Sequence, residues 1–318
     1  MKISGFTFVK NAGKLYIPAK EAILSVLPIC DEFVIAVGDN DEGDPTLELI
    51  KSIDSEKIKI IHTVWDTDTY TMNTEFARQT DIAKSECTGD WLFYIQCDEA
   101  VHEDDLMKVK LACEQFHHDH EVEGFLFKYY HFWGDYDHYH DDHVWYKKEI
   151  RVIRNTKEIH SWKDAQSFRW FDSHDGSFDD YQKKEESRKL RVVELDAYVY
   201  HYGYVRPPLM MTNKTRKNSD SYRGKEATDE FMKDEPDRFD YGPLHKLVRF
   251  NKRHPEVMKE WISKHDWKDQ LQYSGSRNRN RPKHKHEKLK YRVVTWLENT
   301  LNGRRVIGGF KNYEVLKK

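Results

Sequence analysis

Within its first hundred residues the chain passes four times from a short apolar run to an amphipathic stretch or turn, and that alternation restricts it to a parallel α/β sheet with both faces covered. Ile3–Val9 mixes apolar and β-favouring residues and stops at Lys10-Asn11-Ala12-Gly13, a strand running into a turn. Pro18 opens a helix at a position where its missing N–H costs nothing. Ala19, Ala22, Ile23, Val26 and Leu27 then follow at i, i+3, i+4, i+7 and i+8 as one buried stripe. Residues 33–37 are apolar on both faces, the pattern of an interior parallel strand. Asp44 and Pro45 predict an N-cap and a helix through about residue 53. A third strand is expected over 58–64. A third helix is expected over 73–87, with Phe76, Thr80, Ala83 and Cys87 on one face and Gly89 ending it, and a fourth strand over 91–95.

At 318 residues the chain is long enough for one large domain and an extension, and it can bury a core without disulfide or metal staples. Apolar residues at 38% and aromatics at 14% exclude a disordered chain. No apolar run approaches the ~20 residues that cross a bilayer, and residues 1–11 lack signal-peptide architecture, so a soluble, cytoplasmic protein is expected. Cys30, Cys87, Cys97 and Cys113 form no Cys-x-x-Cys pair, which favours reduced thiols over a zinc ribbon or disulfide framework. Charge is unevenly spread. Residues 31–54 hold eight acids against Lys51 alone, and residues 277–292 hold eight bases against Glu287 alone.

Ligands of open α/β sheets sit beyond the carboxyl ends of the strands, where strand order reverses. After the first strand there is neither a Gly-x-Gly-x-x-Gly nor a Walker loop, which disfavours a dinucleotide dehydrogenase or a P-loop NTPase. After the second comes Gly38-Asp39-Asn40-Asp41-Glu42-Gly43-Asp44, and after the fourth Gln96-Cys97-Asp98-Glu99. Carboxylates at both ends repel a phosphate. They serve a phosphorylated ligand through a divalent cation, or by accepting hydrogen bonds from a nucleoside.

The ordered set of Asp39-Asn40-Asp41-Glu42-Gly43-Asp44-Pro45-Thr46 and Gly89-Asp90-Trp91-Leu92-Phe93-Tyr94-Ile95-Gln96-Cys97-Asp98-Glu99 resembles the family 2 glycosyltransferases. The resemblance covers residues 3–100 well and 100–205 loosely. It implies a GT-A fold, a Rossmann-like, mostly parallel sheet flanked by helices. A nucleotide-sugar half would span 1–100 and an acceptor half 101–205, with a mainly α-helical extension over 206–318. The first acid of the Asp-x-Asp motif is Gln96, and the Asn-Glu turn is Asn11-Ala12. A Mn²⁺ or Mg²⁺ ion would therefore lean on Asp98, with His201 completing its shell. The resemblance places the donor nucleotide against Phe8, Val9, Asn11, Asp39, Gln79, Asp81 and Asp98. Asp39 and Asp44 also have simpler roles as turn and helix-cap residues, and His201 as a hydrogen-bonded strand-end histidine.

An inverting single displacement needs a carboxylate to take the proton of the acceptor hydroxyl, and that base is expected after a strand over 149–154. Asp164 is the candidate, with Asp172 and Asp175 as competitors. Trp162 is expected as a sugar-stacking platform and Glu99 as an acceptor contact. Residues 129–146, rich in His, Tyr, Trp and Asp, read as a mobile loop on the acceptor side, or as a metal site through His138, His140 and His143. Beyond residue 205, amphipathic stripes are expected around 244–262, a linker or exposed arm over 274–288, and a last helix over 289–301. The basic stretch 277–292 reads as solvated surface, as contact with an anionic membrane where a lipid-linked saccharide acceptor sits, or least well as a nucleic-acid site. Two rivals stand beside transfer of a sugar to a glycan or glycolipid. One is a degenerate GT-A binding module, kept open by Gln96. The other is a sugar-phosphate nucleotidyltransferase, for which the loop after the first strand is poor in glycine and base.

Overall fold

The computed structural model describes residues 1–233, 236–302, 306–309 and 311–318. The first half forms as expected: β1 (Ile3–Val9), α1 (Ala19–Val26), β2 (Glu32–Val37), α2 (Thr46–Lys51), β3 (Ile58–His62), α3 (Glu75–Ser85) and β4 (Trp91–Tyr94). Asp44 sets the start of α2, its Oδ1 accepting the Thr46 N–H at 3.0 Å while its Oδ2 accepts the Lys14 N–H at 2.8 Å. The helix starts one residue later than expected, with Pro45 at the cap position, and Asp44 just before it satisfies a first-turn N–H while also pinning the turn after β1.

The chain continues through β5 (Glu99–Val101), α4 (Glu103–Gln115), β6 (Gly124–Trp133), β7 (His138–His140), β8 (Lys148–Arg154), β9 (Ile159–Trp162), β10 (Ser167–Phe171), α5 (Phe178–Gln182) and β11 (Ser187–Tyr204). After these come α6 (Pro208–Arg223), α7 (Lys225–Met232), β12 (Val248–Arg249), α8 (Lys259–Ser263), α9 (Leu289–Thr300) and β13 (Tyr313–Val315). The sheet order is β3-β2-β1-β4-β8-β6-β11-β10-β9. β1 to β4 are parallel; β8 enters antiparallel beside β4, and β6 and β11 run parallel beyond it. Strand order reverses at β1, whose neighbours are β2 and β4, so the carboxyl ends of β1 and β4 open on the crevice where a ligand is expected.

One ion pair locks this centre. Glu99 of β5 and Arg151 of β8 are both fully buried and meet through two bonds, Nε to Oε2 at 2.8 Å and Nη2 to Oε1 at 2.7 Å. Tyr129 of β6 donates its hydroxyl to the same carboxylate at 2.9 Å, and the Gln96 N–H donates at 3.1 Å. The expectation that Glu99 touches an acceptor is corrected: its oxygens are consumed inside the sheet.

The region after residue 205 packs into the same body. Phe250, Met258 and Trp267 share an aromatic cluster with Tyr130, Phe132, Tyr200 and Tyr202, and β12 pairs with β7. His254 joins this cluster, accepting from the Tyr202 hydroxyl at Nδ1 and donating from Nε2 to the Tyr136 carbonyl, each at 2.9 Å. Two further readings change. Residues 138–140 form a strand instead of a mobile loop, and His138, His140 and His143 each take a separate carboxylate, Asp135, Asp142 and Glu298, instead of converging on one metal. The stretch 274–288 is also more than a linker. Arg281 is buried, hydrogen-bonded to Glu287 at 2.7 and 2.9 Å and ion-paired with Asp240 at 3.1 Å, and His284 and His286 set their rings edge-on to Trp133.

Two expectations follow. Arg151→Met leaves a buried carboxylate without its partner and should cost about 3–5 kcal/mol in urea unfolding, whereas adding Glu99→Leu to it should recover most of that loss. Burial also holds His254 near 4, below its ordinary 6.5. Between those values the unfolded chain binds a proton that the folded chain does not. The melting temperature should therefore fall as pH drops from 6.5 towards 4 and this contribution should level off below; His254→Gln should flatten that part of the profile.

Candidate active site

A cleft of about 1150 Å³ opens at the carboxyl ends of β1 and β4, and Phe8, Val9, Asp98, Asp164 and His201 all line it. At one end lies an aromatic slot. Trp65, just past β3, and Phe76 of α3 both contact Phe8, with ring centroids 5.8 and 5.6 Å away, the Phe8–Phe76 pair stacked. Gly38 makes the slot possible: a Cβ there would meet the Trp65 Nε1 at 2.5 Å. That buried indole N–H has no hydrogen-bond partner among the described residues. Asp39 braces Trp65 through the main chain, accepting its backbone N–H at 3.0 Å, and pairs with Lys10 at 2.8 Å. Burial works against its charge, but these two donors hold its carboxyl below the usual range.

The middle of the cleft is a charge cluster on Asp98. Its Oδ2 faces Lys214 Nζ at 3.2 Å and Arg206 Nη2 at 3.7 Å, while its Oδ1 lies 3.9 Å from His201 Nε2. Burial alone would raise the Asp98 carboxyl, but the Lys214 and Arg206 cations outweigh it and hold the group well below the carboxylate range. Burial, reinforced by Arg206, lowers Lys214 to about 8. It also lowers His201, keeping the imidazole neutral and able to act as a ligand. The other nitrogen of His201 meets His131 Nδ1 at 3.1 Å, and His131 Nε2 bonds the Tyr146 carbonyl at 2.7 Å, which orients the pair. Gly203 leaves room for both side chains, since a Cβ there would lie 2.5 Å from His201 Nε2 and 2.8 Å from Asp98 Oδ2.

These atoms fit a divalent cation. The metal bonds oxygen and imidazole nitrogen at about 2.1 Å, so a 3.9 Å gap between Asp98 Oδ1 and His201 Nε2 can be spanned by one ion. Asp98 Oδ1 and His201 Nε2 are the atoms that would hold such an ion, while Asp98 Oδ2 faces Lys214 and Arg206.

Asp164 projects into the cleft from a turn whose neighbours, Lys163 (φ 57°) and Ala165 (φ 59°), both lie in the left-handed region. Two non-glycine residues held there on either side of one carboxylate are local strain of the kind found at functional sites. Gln96, standing where the motif has its first acid, donates to the Ala165 carbonyl at 3.2 Å and so helps hold this turn. Asp164 is exposed to the cleft, and desolvation by the surrounding walls raises its carboxyl above the ordinary value.

The remaining expected residues lie elsewhere. Asn11 is buried in the turn after β1, accepting the Asp41 N–H at 2.8 Å. Gln79 is buried against Glu75 at 2.6 Å, and Asp81 is bonded to His160 and to the Ser161 N–H. Trp162 is buried with its indole N–H on the Lys183 carbonyl, which removes its face from any sugar. The four cysteines are free and buried. Trp65, Phe76, Lys214 and Arg206 were not expected. Trp65 follows the end of a strand on the ligand side, a detectable signal; Lys214 sits in a helix that no local pattern directs towards Asp98.

The chain matches no protein-family model, and no curated protein matches it. Among solved structures it is similar to TarS of S. aureus. Residues 1–349 of that protein, in complex with UDP-GlcNAc, are 13% identical to it, with 73% of this chain and 70% of that chain covered at a TM-score of 0.37. Against the longer TarS structure identity is 12% and the TM-score 0.38, and the chain spans 42% of that length. Glucosyl-3-phosphoglycerate synthase from Mycobacterium tuberculosis, in complex with Mn²⁺, UDP and glucosyl-3-phosphoglycerate, is 13% identical over 42% of this chain and 45% of its own, at a TM-score of 0.27. The fold class expected from the sequence, an α/β sheet flanked by helices, is the one observed.

If the slot holds a planar base, Trp65→Ala should weaken binding of the matching nucleoside diphosphate by roughly tenfold or more in calorimetry, as loss of a stacking face costs about 1–3 kcal/mol. Unchanged affinity for every nucleotide tested would remove the base from this slot.

Proposed function

We propose that the protein transfers a sugar from a nucleotide-diphosphate donor to a saccharide hydroxyl, with inversion. The observation that carries this reading is the order of groups along one cleft: an aromatic slot, a cation-rich centre on Asp98, and a carboxylate on a strained turn. The slot takes the base. Lys214 neutralises charge on the diphosphate, assisted by the Lys217 ammonium on the same wall, while the buried Arg206 stands behind Asp98. Asp98 and His201 would hold Mn²⁺ or Mg²⁺, which when bound supplies Lewis-acid neutralisation of the leaving group.

Asp164 takes the acceptor proton as the hydroxyl oxygen bonds to the anomeric carbon and the bond from that carbon to the diphosphate oxygen breaks. A carboxylate at this point of the cleft is the group that such a proton transfer needs. Trp145 and Tyr146, on the acceptor side of the cleft, offer flat faces to a sugar ring. A second reading, transfer without a metal, is favoured by one observation: the Lys214 ammonium already sits 3.2 Å from Asp98.

The test is release of nucleoside diphosphate from a panel of sugar nucleotides, with water or added saccharide as acceptor. Asp164→Asn should keep nucleotide affinity and lower turnover by about a hundredfold or more. Wild-type turnover in that variant would remove Asp164 from the reaction. Turnover lost to a chelator and restored by Mn²⁺ supports the metal-dependent form, and turnover indifferent to chelator supports the second reading. Binding with no turnover by any donor would favour a binding module instead.

A further inference from the structure

The last helix carries a surface that the transfer reading does not use. α9 lies against the protein through one face only. His143 bonds Glu298 at 2.7 Å and the Thr295 hydroxyl at 3.0 Å, and stacks on Tyr291. At about 100° per residue, those three positions fall on one side of the helix, and Leu289, Val293 and Trp296 fall together on the opposite side. These three are 72%, 47% and 58% exposed, an unpartnered apolar stripe on a helix whose inner face is already occupied. Lys290 flanks the stripe on one side and Arg292 on the other, while the helix's own acid, Glu298, is buried on the inner face against His143.

The charge around this stripe has one sign. Within residues 277–292 the single acid, Glu287, is turned inward onto Arg281, so Arg279, Lys283, Lys285, Lys288, Lys290 and Arg292 are left exposed with no acid among them. An apolar stripe with a tryptophan, bordered by bases and preceded by more bases, is the composition of a helix that lies in a membrane interface. No described helix is long and apolar enough to cross a membrane.

We propose that α9 docks the protein on an anionic lipid surface, inserting Leu289, Val293 and Trp296 while the bases of 279–292 meet the headgroups. This goes beyond the transfer reading and does not rest on it, since docking needs no nucleotide.

The experiment is co-sedimentation of the full chain with phosphatidylcholine vesicles and with vesicles that also contain phosphatidylglycerol, at low and high salt. Binding is expected to the anionic vesicles only and to weaken with salt. Leu289→Ser with Trp296→Ser, and separately Lys290→Glu with Arg292→Glu, should each lower partitioning by about tenfold or more. Both pairs point away from the core and should melt like the parent, so a loss of binding is not a loss of fold. Failure to bind anionic vesicles, or variants that bind like the parent, would overturn the proposal. So would light scattering that shows a dimer which Trp296→Ser dissolves, because the stripe would then cover a second copy of the chain.

Discussion

The arrangement of the cleft depends on the Glu99–Arg151 pair. Removing two charges from water costs several kcal/mol for each ion, so such a pair persists only when its remaining hydrogen-bonding capacity is filled. Tyr129 and the Gln96 N–H fill it here, and Arg151 also donates to the carbonyls of Ile150 and Gln166. Those bonds join β5, β6, β8 and the turn before β10. Asp98 precedes Glu99 directly, and the turn at Asp164 precedes Gln166. One buried interaction therefore fixes the direction of the two carboxylates on which the chemistry is proposed to depend.

The Gln96 side chain has a clear part in this arrangement. A carboxylate at 96 would face the Ala165 carbonyl, to which the amide now donates at 3.2 Å, and two acceptors would repel. The amide ties the turn down and leaves Asp98 as the carboxylate facing the cation-rich wall. With Lys214 and Arg206 on one oxygen and His201 near the other, the local charge balance tolerates a diphosphate better than the sequence of acids suggested.

The parallel half of the fold was legible because each of its elements declares itself locally. The 3.6-residue stripe of α1, the doubly apolar β2 and the Asp44-Pro45 start of α2 need no distant partner to be read. Phe8, Val9, Asp98 and His201 came from the family resemblance, and all four line the cleft. Glu99 and Trp162 misled for one reason: a carboxylate beside a motif and a tryptophan beside an acid look the same in sequence whether they face solvent or core. Their burial is decided by Arg151 and by Lys183, each far along the chain. Lys214 and Arg206 were invisible for the same cause, as only the path of β11 and α6 carries them to Asp98. The basic arm misled through composition, because its solvated look hides Arg281 and two histidines that belong to the Trp133 cluster.

The pairing of β13 with β11 has a consequence for how the molecule is born. Leu190 and Val192 find their partners at Tyr313 and Val315, and Asn312 reaches back to Arg169 and the Phe168 carbonyl. A ribosome releases the whole cleft, from Phe8 to Lys225, well before it releases the strand that covers this edge of β11. Until then β11 presents open backbone donors and acceptors to any neighbouring chain. Vectorial synthesis thus leaves an interval in which the site can be assembled while the sheet is still adhesive, and quality control in the cell would act during that interval.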